Sequence, residues 1–384
     1  MILRKLDKSE HGKTRPLWEE VFTEDTKEFL DYYYYIKTRD NQIYVVEEEE
    51  QICSMLQLNP YRLKVGNKEL PSAYIIAVAT KEVCRGRGYM GALLRTALED
   101  MYQAKIPFAF LMPAAEAIYS PYDFRFIYDQ CIGSPAQLSS EAEELKETCS
   151  FTDAALWNAE EIADFFDRNF SERWQVYAVR DAAYYQTMIL EQSSEHGGVR
   201  LIKDGGEIKG VYAYAAEEGL EIREPLFLDG YENAFLRSVR QLAANGQPCI
   251  KDEDIKIYAC PENMSYGKKP VIMARIVCLP ELLKAMTVPE NLSVDCSFAV
   301  IDPLIRQNSC VWRVTSASGE SELHARETED SEGVLSVDLL AELLFGRIEA
   351  ARLKDNNKVV MTEHLAEELD KITKLTKVFL NDVV

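Results

Sequence analysis

Two stretches with different hydrophobic periodicities are joined by the segment Val78-Ala79-Thr80-Lys81-Glu82-Val83-Cys84-Arg85-Gly86-Arg87-Gly88-Tyr89-Met90-Gly91. The residues that lead into it, Ala73–Thr80 (AYIIAVAT), are mostly β-branched or small and apolar, which is typical of a buried strand. The stretch that begins at Gly91 (GALLRTALEDMYQAK) has a helical period and places on one face Leu93, Leu94, Ala97, Leu98 and Met101. The segment is therefore predicted to be a loop that connects a strand to a helix.

The residues of this loop suit a ligand that carries phosphate. Glycines permit a tight turn and a close approach of the backbone, and the free N–H groups at the start of a helix attract anions. Arg85 and Arg87 add forked donors that match phosphate oxygens. A pyrophosphate is the natural ligand for such a loop.

Two nucleotide-binding motifs and a purely structural turn are alternative interpretations of the loop. Gly86-x-Gly88-x-x-Gly91 matches the GxGxxG dinucleotide fingerprint, which needs an acidic residue at the end of the next strand to hold the ribose. That strand ends Phe110-Leu111-Met112-Pro113, without an acid, which disfavours a nicotinamide-dependent oxidoreductase. Arg85-x-x-Gly88 after a Val-Ala-Thr strand also fits the pyrophosphate loop of the GNAT acyltransferases, and this acetyl-CoA interpretation is favoured.

Length and composition limit the classes of protein to consider. The chain has 384 residues, 47% hydrophobic and 28% charged, which is a globular composition with room for two or three domains. Its 64 acidic and 43 basic residues give a formal net charge of −21, which argues against nucleic acid and anionic membranes as partners. The charge favours either plain solubility or a cationic small molecule. No apolar run approaches the ~18 residues of a membrane span, and the start of the chain lacks the apolar core of a secretory signal, so a cytoplasmic location is expected.

Nine cysteines and four histidines are scattered along the chain, and no two cysteines form a C-x-x-C pair. This pattern predicts reduced thiols, no disulfide framework and no metal site. Cys84 lies beside the loop, but no histidine is near it in sequence to activate the thiol, so nucleophilic catalysis is disfavoured.

Hydrophobic patterning divides the chain into three predicted domains, 1–150, 151–284 and 285–384. Residues 1–150 combine helices, a hairpin at 43–58, the loop and its two buried strands, and an acidic surface element at 141–147. Residues 151–284 repeat this layout, but their corresponding loop LDGYEN has no arginine–glycine cluster, so a duplicated domain would have lost its ligand site. Residues 285–384 contain strands, one or two amphipathic helices and an apolar ending that is predicted to be buried.

The chain as a whole resembles the Eis-like N-acetyltransferases of the GNAT superfamily. The passages that carry the resemblance are RPLWEEVF, FLDYYYYIK, SMLQLNPYRL, YIIAVATKEVCRGRGYMGALL, EAIYSPYDFRF, YYQTMIL, KPVIMARIV and the FLNDVV ending. Within them Asp123 occupies a position that is usually glycine. The resemblance implies an α/β fold with two tandem GNAT-like domains, of which only the first has a cofactor site, and a C-terminal domain similar to sterol carrier proteins. It also implies a homo-oligomer, commonly a hexamer.

The resemblance further implies roles for individual residues in an acetyl transfer to an amine. Acetyl-CoA is expected to contact Val78, Ala79, Thr80, Arg85, Gly86, Arg87, Gly88, Tyr89, Met90 and Gly91. Tyr119, of the Ile118-Tyr119 pair, is expected to be the general acid, and the terminal carboxylate of Val384 the base. A cationic amine of the aminoglycoside, polyamine or lysine type is expected to meet Asp31, Tyr33 and Tyr34. A non-enzymatic carrier of hydrophobic ligands, built on the C-terminal domain, is the alternative function.

Overall fold

The computed structural model describes residues 1–137, 149–217, 219–245, 250–316, 319, 321–353 and 359–381. Its strands form two sheets, one of 14 strands and one of five, and helices cover the sheet faces. The predicted α/β class is confirmed. The predicted acidic element at 141–147 lies outside the described residues.

The strands and helices have the following bounds. The strands are β1 (Ile2–Lys5), β2 (Gln42–Glu48), β3 (Gln51–Val65), β4 (Lys68–Thr80), β5 (Phe108–Leu111), β6 (Arg125–Gly133), β7 (Cys149–Asp153), β8 (Val176–Ala178), β9 (Gly198–Asp204), β10 (Glu207–Ala215), β11 (Glu221–Phe227), β12 (Lys256–Tyr258), β13 (Gly267–Ile276), β14 (Asp295–Ile301), β15 (Val311–Thr315), β16 (His324–Thr328), β17 (Gly333–Ser336), β18 (Val360–Met361) and β19 (Val378–Phe379). The helices are α1 (Arg15–Val21), α2 (Lys27–Tyr35), α3 (Tyr89–Gln103), α4 (Glu116–Tyr119), α5 (Ala159–Asn169), α6 (Ala182–Ser194), α7 (Glu232–Asn245), α8 (Leu279–Leu283), α9 (Val337–Leu344), α10 (Ala350–Leu353) and α11 (Glu363–Lys371).

The large sheet joins strands that are far apart in sequence. Its order is β1-β2-β3-β4-β5-β13-β6-β12-β11-β10-β9-β7, and β8 pairs with both β3 and β19. Strand β13 lies between β5 and β6 and is antiparallel to both. Residues 267–276 therefore complete the part of the sheet that the first 137 residues begin. The division of the chain at residues 150 and 284 stays a prediction.

Helices pack on both faces of the first half of this sheet because strand β2 alternates its side chains between them. Ile43 and Val45 join the apolar cluster under α1 and α2, whereas Tyr44 and Val46 join the cluster under α3. The Tyr44 hydroxyl also donates a hydrogen bond of 2.7 Å to Asp100 of α3. Helix α3 and the pair α1/α2 thus lie on opposite sides of the sheet.

The second half of the sheet has the same layering. Helices α5 and α6 cover one face with Phe165 and Tyr185, and α7 covers the other with Phe235. The hairpin β9–β10 turns at two glycines with positive φ, Gly205 and Gly206. Helix α7 has an acidic residue, Glu232, in its first turn, which disfavours an anion there.

The last third of the chain forms the five-stranded sheet, in the order β16-β15-β14-β17-β18. Its apolar core is continuous with that of the first part, and the rings of Phe108 and Phe345 meet edge-on with centroids 5.4 Å apart. The one or two amphipathic helices predicted in this part of the chain are α9 and α10, and Gly346 between them has a φ of +67°. None of the helices in the described part of the chain is both long and apolar enough to cross a membrane.

Candidate active site

The carboxyl end of β4 carries a β-bulge. Along the β3–β4 ladder Gln57 pairs with Ile76 and Met55 with Ala79, so two residues of β4 lie opposite one residue of β3. The extra residue distorts the strand, and Ala77 has a φ of +51°, which is rare for any residue except glycine. The bulge changes the direction of the backbone amides from Val78 to Thr80, at the end of the strand that leads into the loop.

Strands β4 and β5 separate beside this bulge. Their parallel pairing covers Ala73 with Ala109 and Tyr74 with Phe110. Strand β5 ends at Leu111, whereas β4 continues to Thr80. A gap therefore opens between the two strands beyond Tyr74, and the re-directed amides of β4 lie along it. An extended, unbranched ligand arm can enter the sheet at such a gap.

The loop that follows β4 leaves open space in front of α3. Gly88 is the N-cap of α3 and has a φ of +79°, and a Cβ atom added to it would meet no atom of the described residues within 4 Å. Arg85 is exposed and donates a 3.3 Å hydrogen bond to the Thr80 carbonyl. Helix α3 has 15 residues and no acid in its first turn. Its free N–H groups, the positive end of its dipole and Arg85 form an anion site of the kind that binds phosphate.

Arg87 and Tyr89 of the loop are held by one carboxylate at the end of β2. Arg87 Nη1 lies 3.0 Å from Glu48 Oε2, and the Tyr89 hydroxyl donates to Glu48 Oε1. The bonds to Tyr89 and Glu48 raise the pKa of Arg87, so its guanidinium stays charged. Arg87 therefore faces Glu48 rather than the open space before α3.

Tyr119 is the last residue of α4 and is almost completely buried. Its ring meets that of Phe124 edge-on at 6.0 Å, and burial raises the pKa of its phenol to about 12. Within the described residues no group hydrogen-bonds to its hydroxyl. The segment that continues from Tyr119 reaches α3, because the Tyr122 hydroxyl lies 2.7 Å from the position that a Cβ on Gly91 would occupy. Tyr119 is thus a protonated phenol in the segment that packs against the start of α3.

The turn after Tyr119 contains an aspartate in a conformation that favours glycine. Asp123 adopts a left-handed conformation with a φ of +64°. Arg275, which is entirely buried, donates 2.9 Å from Nε to the Tyr122 carbonyl and lies 3.5 Å from the Asp123 carboxylate. The other strong partner of Arg275 is Asp302 at 2.5 Å. A residue from β13 therefore ties this turn to the C-terminal part of the chain.

The apolar ending of the chain is buried, as predicted, as far as it is described. Val378 and Phe379 form β19 beside β8, the Phe379 ring stacks on Trp174 at 4.0 Å, and Leu380 is fully enclosed. Asn381 accepts a 3.0 Å hydrogen bond from Gln130. Val384, the predicted base, lies outside the described residues.

A large cavity connects the tail with the α1/α2 side of the sheet. It has a volume of about 640 Å³, and its walls include Tyr61 of β3, Tyr184 and Glu191 of α6, and Asn381. Tyr61 packs edge-on against Phe110, at the end of the β4–β5 pairing, with centroids 5.5 Å apart. The cavity thus extends from Tyr61, which packs beside the β4–β5 pairing, to Asn381 of the tail.

Charged side chains of both signs line this cavity. Arg62 pairs with Asp181, and the buried Arg180 holds Glu224 through two hydrogen bonds of 2.6 and 2.9 Å. Glu191 accepts a 3.1 Å hydrogen bond from Tyr32, and burial raises its carboxyl pKa to about 7. A cationic ligand in the cavity would favour the charged form of Glu191.

The three residues predicted to bind the acceptor have different surroundings. Asp31 pairs with Arg15 at 2.6 Å and with Lys27 at 3.4 Å, and the Arg15 bond lowers its pKa. Tyr33 is completely buried and its hydroxyl donates to Asn59 at 3.0 Å. The Tyr34 hydroxyl bonds to Thr14 at 2.9 Å. Tyr33 therefore packs in the core, and the acceptor role of all three residues stays a prediction.

Sequence reasoning did not find several residues that shape this site. Ser54 of β3 donates 2.8 Å to the Ala79 carbonyl and bonds the Thr80 hydroxyl at 2.7 Å, which fixes the end of β4. Glu48 and Glu191 lie far in sequence from the groups they meet. Tyr122 alone left a local signal, since it belongs to the EAIYSPYDFRF passage.

Comparisons with protein families and known structures bear on this geometry. Residues 3–127 match the acetyltransferase (GNAT) domain family, and residues 279–381 match the sterol carrier protein domain family. No curated protein sequence matches the chain.

Several solved structures share the fold over nearly the full length of both chains. A probable N-acyltransferase of unknown function from Enterococcus faecalis is 17% identical, with a TM-score of 0.81, over 100% of this chain and 99% of that one. A GCN5-related N-acetyltransferase from Kribbella flavida is 17% identical, with a TM-score of 0.75, over 100% and 98%. Eis1 from Mycobacterium abscessus is 14% identical, with a TM-score of 0.70, over 99% of each chain. At these identities the likeness is one of fold.

Proposed function

We propose that this chain transfers the acetyl group of acetyl-CoA to a primary amine of a small cationic acceptor, because its residues 3–127 match the acetyltransferase (GNAT) domain family and its fold resembles that of solved N-acetyltransferases. One observation carries the proposal. The bulged end of β4 lies beside a gap in the sheet and leads directly into the open anion site at the start of α3. That arrangement fits a ligand with a pyrophosphate at one end and an extended arm at the other.

The residues at this junction divide the binding of acetyl-CoA between them. The N–H groups at the start of α3 and the Arg85 guanidinium hold the pyrophosphate, in the space before Gly88 that the described side chains leave open. The amides of Val78 and Thr80 hold the pantetheine arm and polarise the thioester carbonyl. Acetyl-CoA supplies a thioester that an amine can attack and a thiolate that departs.

Tyr119 is the proposed proton donor to the departing sulfur. Its raised pKa keeps the phenol protonated at neutral pH, and its buried position excludes water from the proton transfer. The tail supports the proposed base, because Asn381 lines the cavity and Val384 follows only three residues later. A carboxylate at Val384 would accept the proton of the attacking amine.

The acceptor is proposed to bind in the 640 Å³ cavity. Its walls combine aromatic rings, such as Tyr61 and Tyr184, with the Glu191 carboxylate. Rings and carboxylates together suit an ammonium group through cation–π and ion-pair contacts. The net charge of −21 also attracts a cation to the surface. Assembly as a homo-oligomer stays a prediction that light scattering in solution can test.

The first experiment is a comparison of ligands. Acetyl-CoA is expected to raise the melting temperature, and NAD is not. Amines of the aminoglycoside, polyamine and lysine classes are then supplied with acetyl-CoA, and released thiol is measured. A rise in melting temperature with NAD but not with acetyl-CoA would contradict the proposal.

A further inference from the structure

Three side chains with metal-ligand chemistry meet directly behind the Arg85–Gly91 loop. Glu48 ends β2, Cys53 lies on β3, and Cys84 belongs to the helical turn that precedes Arg85. A carboxylate oxygen of Glu48 and the two Sγ atoms all lie within 4.8 Å of one another. Both thiols are buried, with about 5% of each residue exposed, and Glu48 is half-buried.

Local backbone structure creates this meeting. Val46 pairs with Ser54 and Glu47 pairs with Ile52, so Cys53 is the extra residue of a β-bulge. A bulge re-aims the side chain of the inserted residue. The Lys81 amide donates 2.9 Å to the Cys53 carbonyl, and the Cys84 amide donates 2.9 Å to the Lys81 carbonyl. These two bonds fold the turn back over the bulge and bring the sulfurs together.

We propose that Glu48, Cys53 and Cys84 form a binding site for a thiophilic divalent cation, of which Zn²⁺ is the representative. Zinc binds thiolate at about 2.3 Å and carboxylate at about 2.0–2.2 Å, and tetrahedral ligation then places two sulfurs about 3.8 Å apart. The three ligand atoms reach this geometry by contracting about 1 Å or less. Two thiols and one carboxylate disfavour Mg²⁺ and Ca²⁺, which prefer oxygen ligands. Binding releases the two thiol protons to solvent.

The cation would act on the neighbouring loop through Glu48. That carboxylate now holds Arg87 at 3.0 Å and also accepts from Tyr89. A divalent cation on Glu48 repels the Arg87 guanidinium and removes its partner, which frees Arg87 to turn towards the open space before α3. The same cation links β2, β3 and the turn before Arg85. This second step rests on the proposed acetyl-CoA site, whereas metal binding itself does not.

Cobalt is the probe for the site, because thiolate-bound Co²⁺ gives an intense charge-transfer absorption in the near ultraviolet. The full chain, reduced with a phosphine so that no added thiol competes, is titrated with Co²⁺ and then with Zn²⁺. We expect one equivalent of Co²⁺ with the thiolate band, displaced by one equivalent of Zn²⁺. Cys53→Ser and Cys84→Ser should each remove the band, and Cys278→Ser, a buried thiol outside the cluster, should keep it.

Two outcomes would overturn the metal site. One is the absence of a thiolate–cobalt band from the reduced chain while it stays folded by circular dichroism. The other is a band that survives Cys84→Ser.

The coupling to the loop has a separate measurement. Acetyl-CoA affinity is measured by calorimetry with and without one equivalent of Zn²⁺, and a gain of about fivefold or more is expected, since linkage makes the effect reciprocal. An unchanged or weaker affinity would overturn the coupling. If acetyl-CoA fails to bind with or without Zn²⁺, the proposed function fails and the cobalt titration still decides the metal site.

Discussion

At Gly88 one backbone angle shapes the proposed anion site at the start of α3. The residue caps the helix with a φ of +79° and faces open space. Gly88→Ala places a Cβ in that space and adds strain of about 1–2 kcal/mol. We expect the acetyl-CoA affinity measured by calorimetry to fall about tenfold or more.

A second glycine provides the control for this strain. Gly205 at the β9–β10 turn has a φ of +59° and is equally open, but it lies in the second half of the sheet. Gly205→Ala should lower the melting temperature by a similar amount and leave the acetyl-CoA affinity unchanged. If Gly88→Ala and Gly205→Ala lowered the acetyl-CoA affinity equally, the proposed anion site at Gly88 would be contradicted.

A substitution at Tyr119 tests the proposed proton donation separately from the binding of acetyl-CoA. Tyr119→Phe removes the donor but keeps the buried ring, so kcat is expected to fall about 10²-fold with little change in acetyl-CoA affinity. Tyr212→Phe is the matched control, because this buried hydroxyl bonds Ser238 in the second half of the sheet. If both variants keep the activity of the parent, Tyr119 is a packing residue.

The pH profile gives Tyr119 a second test. Burial raises its pKa from the ordinary value of about 10 to about 12, and only the protonated phenol donates. Loss of this proton therefore lowers kcat only as pH rises through about 12. A descending limb of kcat between pH 8 and about 10 that disappears in Tyr119→Phe would show that the phenol ionises earlier than its burial predicts.

Among the elements, the contact between α2 and α6 depends on the ionisation of one carboxyl group. Glu191 accepts a bond from Tyr32 and is approached by Lys37, Glu195 and Arg223. Its pKa is raised to about 7 in the folded chain, so it binds a proton more tightly there than when unfolded. Proton binding by Glu191 therefore contributes to the free energy of unfolding in full below about pH 4.5. This contribution is lost as pH rises from 4.5 to 7, and it does not change further at higher pH.

Glu191→Gln should remove this dependence. Relative to the parent, the variant should gain unfolding free energy between pH 4.5 and 7, by at most about 3 kcal/mol. Urea unfolding at a series of pH values measures the difference. Glu207→Gln, at an exposed carboxyl whose pKa Lys209 lowers, is the control and should show no such gain. If the free energy of unfolding varied with pH in the same way in the parent and in Glu191→Gln, the raised pKa of Glu191 would be contradicted.

Helices and strands could be predicted from the sequence where the interactions that form them are between residues close together in the chain. The hairpin at 43–58, the strand before Lys81 and the helix after Gly88 were predictable, because alternation, helical period and glycine act over a few residues. The insertion of β13 between β5 and β6 was not, because it joins residues more than 130 positions apart. Residues 16–35 carry apolar residues at helical spacings throughout, and this pattern gives no sign of the break between α1 and α2.

In the candidate site, too, contiguous motifs could be predicted from the sequence, whereas residues that only the fold brings together could not. The Gly-rich loop and Tyr119 stand in contiguous motifs and were found. Glu48, Cys53 and Cys84 meet only because a bulge and a turn fold together, so a search for closely spaced cysteines could not detect them. Four consecutive tyrosines at 32–35 indicate a helix with a buried face but not which of the rings lines a cavity.

For the molecule as a whole, Arg275 joins its parts through a buried ion pair. It contacts Asp302 at 2.5 Å and the Tyr122 carbonyl at 2.9 Å, and both charged side chains are fully buried. Asp302→Asn removes the nearer of the two carboxylates that face the guanidinium and leaves only Asp123, at 3.5 Å, so we expect a loss of about 3 kcal/mol in the free energy of unfolding. Chemical denaturation measures it.

Two further variants make this prediction specific. Asp295→Asn breaks the exposed pair with Arg313 and should cost about 1 kcal/mol or less. The double variant Arg275→Met with Asp302→Asn should be more stable than Asp302→Asn alone, because no unpaired charge stays buried. A double variant that is less stable than the single one would show that the cost comes from other bonds of Arg275.

The proposed acetylation of an amine is tested most directly by one reaction. The full chain, acetyl-CoA and a polyamine are mixed, and both products are measured. We predict that mass spectrometry finds the polyamine heavier by one acetyl group and that free CoA thiol appears in equal amount, with both products reduced in Tyr119→Phe. If no amine in the three acceptor classes is acetylated by folded protein that binds acetyl-CoA, or if thiol appears without acetylated amine, the account of this chain as an amine acetyltransferase is contradicted.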